Sequence, residues 1–160
     1  MMKYIYILLV GFLVSIVTGC ADTNLTHDIP LVPRPAQFVP GSGNYLFSDK
    51  TVFVVENEEQ AKVANGFIDL FTHAAGFTPK LNIGGTEKGN VRFETDASLK
   101  SEAYSLDVSS REIVIKASDI KGFFYALQTI RQLLPASIER EKLSDEKVVW
   151  SVPAMSVHDT

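Results

Sequence analysis

Residues 119–135 of the chain read DIKGFFYALQTIRQLLP, and this stretch decides what kind of fold the sequence can form. Asp119 or the serine before it is placed to cap the start of a helix, and Pro135 ends that helix. Gly122 lies in the first turn, where a missing side chain allows close packing. The apolar residues recur at helical spacing and form one stripe, which consists of Ile120, Phe123, Phe124, Leu127, Ile130 and Leu134. Because the stripe is wide and rich in aromatic residues, we expect it to pack on a sheet with one side and on another surface with the other.

A β-hairpin is predicted immediately before this helix. Apolar and polar residues alternate over 104–108 and again over 113–115, and the polar residues 109–112 between them form a turn. The same alternation predicts a strand over 91–95, and a β-prone apolar run predicts another over 51–55.

A second amphipathic helix is predicted between the strand over 51–55 and a short strand over 80–83. Asn57 is a good N-cap residue, Gln60 stands three positions later as in a capping box, and Gly76 ends the helix. One face of the helix carries the apolar residues Ala64, Phe67, Ile68, Phe71 and Ala75.

The segments at either end of these elements are extended. Residues 29–40 contain four prolines and exclude a helix or a central strand, residues 41–44 form a turn, and residues 45–47 form a short edge-like strand. Residues 148–160 form an extended tail. The order of elements predicts an α+β fold: a two-layer sandwich in which two helices pack on one face of an antiparallel or mixed β-sheet.

The N-terminal residues have the layout of a bacterial secretory signal. Lys3 precedes an apolar run that continues to Val17, and the run ends in the sequence VTGC, which resembles a lipobox. A helix of about 14 residues rises about 21 Å, which is short of a bilayer core of about 30 Å, so the alternative of a transmembrane anchor is disfavoured. The sequence therefore predicts a lipoprotein signal peptide at 1–19, cleavage before Cys20 and a flexible polar tether at 20–28.

Cys20 is the predicted lipidation residue. It is the only cysteine of the chain, so no intrachain disulfide can account for it. The alternative is a small buried thiol within an uncleaved anchor. Acyl chains on the Cys20 sulfur would tether the protein to membrane lipid. We therefore expect a lipid-anchored protein of the cell envelope, at the outer membrane or at the cell-surface or periplasmic face.

The charge balance disfavours one class of partner. The formal net charge is −4, and the lysines and arginines are scattered rather than clustered. Because nucleic-acid binding needs a basic face, no nucleic-acid partner is expected.

The polar residues of the sequence form no grouping that would be expected to meet in one cleft. The sequence therefore predicts no catalytic, cofactor-binding or metal-binding residue. Glu58 and Glu59 open a helix, where carboxylates favour the positive end of the helix dipole. A single carboxylate at Asp159 is weak evidence of a site. The remaining candidates lie in the tether, at a helix end, in a charged loop and in the tail: His27, His73, Asp145, Glu146 and His158.

Three stretches resemble one enzyme family. Residues 29–35, IPLVPRP, followed by the glycine turn and residues 45–47, YLF, resemble the start of the bacterial β-N-acetylhexosaminidases of glycoside hydrolase family 20. The helix at 119–135 is similar to a helix of that family, in which a small residue and aromatic residues precede Leu-Gln-Thr and a pair of leucines. Residues 150–160 resemble the family's linker. The resemblance covers residues 29–160.

The resemblance implies that 29–150 is the family's N-terminal accessory α+β domain and that 151–160 begins a linker to a (β/α)₈ catalytic barrel beyond Thr160. In the family that barrel carries the catalytic Asp-Glu pair and removes terminal N-acetylhexosamine from glycans, using the 2-acetamido group of the substrate in place of an enzyme nucleophile. The chain alone is therefore expected to be inactive. The resemblance further implies that the helix at 119–135 docks on the missing barrel.

Two alternatives stay open at this point. One is a free-standing carbohydrate-binding or scaffolding lipoprotein, whose exposed aromatic platform would come from Tyr45, Tyr104, Tyr125 or Trp150, although spacing favours core or edge positions for the first three. The other is the accessory domain of a different barrel glycosidase family.

Overall fold

The computed structural model describes residues 31–84, 88–143 and 147–160. In chain order the elements are β1 (Gln37–Leu46), β2 (Val52–Val55), α1 (Glu58–Ala74), β3 (Lys80–Ile83), β4 (Val91–Thr95), β5 (Tyr104–Val108), β6 (Ile113–Ala117), α2 (Ile120–Leu133) and β7 (Ser151–Asp159), with a 3₁₀ helix at Ala136–Glu139. The predicted α+β class is confirmed. The predicted signal peptide, the tether and Cys20 lie outside the described residues.

All these strands form one mixed sheet in the order β1-β7-β5-β6-β4-β2-β3. The strands β3, β2, β4 and β6 run parallel to one another. The remaining pairs, β6 with β5, β5 with β7 and β7 with β1, are antiparallel, and the first of them is the predicted hairpin. Since parallel neighbours need a crossover connection, α1 carries the chain from β2 to β3.

The hydrophobic core lies between the helices and one face of the sheet. Alternate residues of the strands are buried there, and α1 and α2 contact each other across the same face. The rings of Phe93 on β4 and Phe123 on α2 stack with centroids 4.9 Å apart and planes 6° apart. The buried strand residues include Phe53, Val91, Leu106, Ile113, Ile115, Val152 and Val157.

The caps of α1 follow the sequence prediction with one difference. The Asn57 side chain accepts hydrogen bonds from the amides of Glu59 and Gln60, at 3.1 and 3.0 Å, and Gly76 follows the helix with a φ of 73°. The Gln60 side chain, however, accepts a bond of 2.7 Å from the amide of Glu56 rather than from the cap residue itself. This bond ties the end of β2 to the first turn of α1.

The segment predicted to begin the linker is part of the sheet. Residues 151–160 were predicted to be extended, and Ser151–Asp159 forms β7, an interior strand between β1 and β5. Pro153 is accommodated in this strand although proline cannot donate to the ladder. It lies ahead of Met155, the first residue of β7 that pairs with β5, so β7 has only β1 beside it at that point.

The structure corrects the turn predicted at residues 41–44. Those residues lie within β1, which continues through them with a shift in its register against β7 between Pro40 and Asn44. Strand β1 is an edge strand, where a proline and a bulge are tolerated. The bulge allows a proline-rich segment to remain part of the sheet.

Candidate functional surface

Helix α2 is anchored at its start by Asp119. The Asp119 carboxylate accepts hydrogen bonds from the Ser101 hydroxyl at 2.6 Å and from the Gly122 amide at 3.0 Å. These bonds hold the pKa of Asp119 below its ordinary value, because they favour the charged form. The cap predicted for this helix is therefore present, and it also ties α2 to the loop before β5.

The outer surface of α2 carries two aromatic residues that lie outside the core. Phe124 is 47% exposed and Tyr125 is 41% exposed, and their rings lie edge to face with centroids 5.8 Å apart. The stripe was predicted to have one side on the sheet and the other on something else. The structure places Phe123, Leu127 and Ile130 in the core and leaves Phe124 outside it.

A groove of about 370 Å³ runs between the outer surfaces of the two helices. Its floor is apolar, formed by buried Phe67 and Leu127 and half-buried Val63 and Leu70, and the exposed Phe124 forms part of one wall. We call it the interhelical groove, and its lining residues are Lys62, Val63, Gly66, Phe67, Leu70, Phe124, Leu127, Gln128 and Arg131.

Arg131 at the rim of this groove is held by Glu139 of the 3₁₀ helix. The Arg131 Nε donates to the Glu139 Oε1 at 2.7 Å, and a second guanidinium nitrogen contacts the other carboxylate oxygen. These bonds raise the pKa of Arg131 and lower that of Glu139. The guanidinium that lines the groove is therefore one half of an ion pair.

A second concavity of about 400 Å³ lies on the other flank of α2, beside the end of β7. We call it the terminal cleft, and it is lined by Val32, Pro33, Ser101, Glu102, Tyr104, Tyr125, Gln128, Thr129, Gln132, Asp159 and Thr160. Its wall is mixed in character, with one exposed aromatic ring, two side-chain amides of α2 and two carboxylates.

The proline-rich arm forms one wall of the terminal cleft. The Val32 amide donates to the Gln132 Oε1 at 2.9 Å, and the Ala36 amide donates to the Asp159 Oδ1 at 3.1 Å. At the base of the cleft the Tyr104 hydroxyl and the Thr129 Oγ1 lie 2.6 Å apart. Burial raises the pKa of Tyr104, so this phenol stays neutral and serves as a hydrogen-bonding group.

The structure does not bring the sequence's candidate polar residues together into one site. His73 is exposed in the last turn of α1, His158 lies on β7, and Asp159 binds the arm. The described residues contain no group of three or more His, Cys, Asp and Glu side chains that could hold a metal ion. His27, Asp145 and Glu146 lie outside the described residues.

Of the four candidate aromatic platforms, only one is accessible. Tyr45, Tyr104 and Trp150 are buried, whereas Tyr125 is exposed and lines the terminal cleft. In the described part of the chain, no helix combines the length and the hydropathy that a membrane span requires.

Sequence reasoning missed the two side-chain amides beside this ring. Gln128 and Gln132 stand four positions apart on α2, so they lie on one face of the helix. That spacing was the available signal, but it marks a polar face on many solvent-exposed helices. The other walls of the cleft, which turn this polar face into part of a cavity, are remote from it in sequence.

Comparison with protein families identifies the domain. The family model described as "Glycosyl hydrolase family 20, domain 2" matches residues 28–160, which includes every strand and helix described above. The chain belongs to this family. The resemblance inferred from the proline arm and from α2 is thereby confirmed, and the accessory domain of a different barrel family is set aside.

Similar proteins agree with this assignment. The chain is 29% identical over 134 residues to a "Beta-hexosaminidase" of Porphyromonas gingivalis, with 82% of this chain and 17% of that protein covered. A solved structure of Streptomyces plicatus N-acetyl-beta-hexosaminidase in complex with thio-NAglucal matches with a TM-score of 0.70 and 27% identity, over 79% of this chain and 25% of that one.

A third protein shares the fold at lower identity. A GH20 exo beta-N-acetylglucosaminidase of Vibrio harveyi, in complex with N-acetylglucosamine, matches with a TM-score of 0.66 and 22% identity, over 82% of this chain and 19% of that one. The chain thus spans a quarter or less of the length of these three relatives.

Proposed function

We propose that this chain is the non-catalytic accessory domain of a lipid-anchored exo-β-N-acetylhexosaminidase. The observation that carries the proposal is the family match over residues 28–160, together with relatives whose names are those of hexosaminidases. The intact protein hydrolyses terminal N-acetylhexosamine from glycans by substrate-assisted catalysis, and the catalytic Asp-Glu pair belongs to a (β/α)₈ barrel that follows this domain. The chain by itself therefore turns over no substrate.

The partner of the helical layer in this proposal is that barrel. The interhelical groove and Phe124 present an apolar surface on the side of the helices away from the sheet, where the described residues form no further layer. Burial of such a surface against a second domain is favourable, and aromatic residues commonly provide most of the energy of an interface. The basic rim at Lys62 and Arg131 gives the contact a polar border.

The proposal is tested first on the gene and then on the protein. The codons after Thr160 should continue in frame into a barrel, and a chromogenic N-acetylglucosaminide should be cleaved by the longer protein but not by the 160-residue chain.

The docking surface is tested with the barrel expressed separately. Phe124→Asp in the chain should then weaken the association of the two domains at least about tenfold, because a charge has to be buried.

Val39→Asp is the matched control, since Val39 is 60% exposed on β1 and pairs with the exposed Ser156, away from the helices. It should leave the association within about twofold. A downstream frame without a barrel, turnover by the chain alone, or equal effects of the two variants would each contradict the proposal.

The lipid anchor on Cys20 is a separate part of the proposal. Cleavage before Cys20 and acylation of its sulfur would attach the enzyme to a cell-envelope membrane, since each buried methylene contributes about 0.8 kcal/mol. In cells that express the chain, Cys20→Ser should move the protein from the membrane to the soluble or uncleaved fraction and abolish labelling by a fatty-acid probe. Ala21→Ser, one residue away, should change neither. Labelling that persists in Cys20→Ser would refute the anchor.

A further inference from the structure

The terminal cleft has the size and lining of a site for a small polar molecule. Its volume of about 400 Å³ lies within the range usual for small-molecule sites, about 300–1,000 Å³. Such sites combine apolar surface with a few polar groups that fix the orientation of a ligand. Here the apolar surface is the Tyr125 ring, and the polar groups belong to Gln128, Gln132, Glu102 and Asp159.

The charges around the cleft disfavour an anionic ligand. Glu102 and Asp159 both line it, no lysine or arginine is among the lining residues, and Lys121 is paired with Glu102 by a hydrogen bond of 2.7 Å. A phosphate or a carboxylate would meet two carboxylate side chains and no lining cation. A neutral ligand with many hydroxyl groups suits the same lining, because carboxylates accept from hydroxyls and amides both donate and accept.

The α2 side chains are arranged to recognise a ring with one apolar face. Tyr125 is accessible and lines the cleft, and its edge-to-face ring pair with Phe124 lies on the side of α2 away from the core. The side chain of Gln128 makes no hydrogen bond to another described residue, while the Gln132 side-chain carbonyl is already occupied by the Val32 amide. The amide of Gln128 is therefore available to a ligand next to an aromatic surface on which the C–H face of a pyranose can stack.

We propose that the terminal cleft binds one pyranose unit of an N-acetylated glycan, with Tyr125 as the stacking surface and Gln128, Glu102 and Asp159 as hydrogen-bonding groups. The N-acetylated class of the sugar rests on the proposed function; the preference for a neutral polyhydroxylated ring rests on the lining itself. Such a site would hold the glycan chain near the enzyme after each terminal residue has been removed.

Saturation-transfer NMR on the purified chain with N,N′-diacetylchitobiose tests this site, because the method detects weak binding directly on the ligand. One stacked ring and a few hydrogen bonds imply a dissociation constant on the order of 1 mM. Transfer to the ring protons of the sugar should be seen with the unmodified chain, should fall at least about fivefold in Tyr125→Ala, and should be retained in Tyr125→Phe.

Val39→Ala is the control, since Val39 is 60% exposed on β1 and does not line the terminal cleft, and it should keep transfer within about twofold. Absence of transfer at millimolar sugar, or equal transfer in Tyr125→Ala and the unmodified chain, overturns the inference while leaving the proposed accessory role intact. Binding that depends on Tyr125 supports the inference even if no barrel follows Thr160; the chain would then be a free-standing glycan-binding lipoprotein.

Discussion

Replacing Phe71 by alanine should lower the free energy of unfolding by about 3–5 kcal/mol, the cost of removing a large aromatic side chain from a closed core. Phe71 lies on α1 with 0% exposure. Its ring centroid is 4.8 Å from that of Phe47, 5.6 Å from those of Phe67 and Phe77, and 6.2 Å from that of Trp150. One substitution would therefore remove four aromatic contacts and leave a cavity that several separate segments would have to close.

Urea unfolding followed by fluorescence measures this loss, because Trp150 is the only tryptophan of the chain and lies in the same cluster. Circular dichroism provides a second probe of the transition. Leu70→Ala is the control, since Leu70 precedes Phe71 on the same helix but is only half-buried. It should cost about 1 kcal/mol. A loss below about 1.5 kcal/mol in Phe71→Ala would mean that the cluster is not the centre of the core.

This aromatic cluster also marks what local sequence patterns could and could not predict. The spacing of Phe67 and Phe71 was enough to predict the buried face of α1, and alternation over 104–115 was enough to predict the β5–β6 hairpin. Both patterns depend on neighbours in sequence. That Phe47 and Trp150 would meet the same helix depends on the pairing of β1 with β7, which no local pattern encodes.

The order of the strands in the sheet could not be predicted from the sequence for the same reason. The β4 strand lies between β2 and β6, and β7 lies between β1 and β5, so most neighbours in the sheet are distant in the chain. Residues 148–160 were predicted only as an extended tail, and Pro153 is compatible with β7 because proline is excluded only where a strand has partners on both sides. The position of the proline relative to the β5 pairing is a property of the tertiary structure.

The candidate surface was predicted only in part. The width of the α2 stripe indicated a second contact surface, and the structure places the exposed Phe124 beside the interhelical groove. The terminal cleft could not be predicted, because its walls come from the proline arm, the loop before β5, α2 and the end of β7. Tyr45, Tyr104, Tyr125 and Trp150 had all been considered as an aromatic platform, and spacing favoured core or edge positions for the first three. It therefore did not single out Tyr125, which is the exposed residue of the four.

Gly122→Ala should destabilise the domain by about 3 kcal/mol, although alanine is the better helix former. A Cβ at residue 122 would lie 2.4 Å from the carbonyl oxygen of Ala103 and 2.8 Å from the Cβ of Ala117. Neither atom can move cheaply: the carbonyl belongs to the backbone just before β5, and Ala117 is the last residue of β6 with 0% exposure. The first turn of α2 would have to lift from the sheet, which would also strain the Asp119 cap.

Gly66→Ala provides the matched control with the opposite expected sign. Gly66 lies in the middle of α1, and a Cβ there would meet no atom within 4 Å. Removing a glycine from an exposed helix position should stabilise the domain by about 0.5–1 kcal/mol. The two substitutions are chemically identical, so a difference in unfolding free energy of about 3–4 kcal/mol isolates the contact between α2 and the hairpin. If both variants shift the urea midpoint in the same direction, the close packing of α2 at Gly122 is not what holds this helix on the sheet.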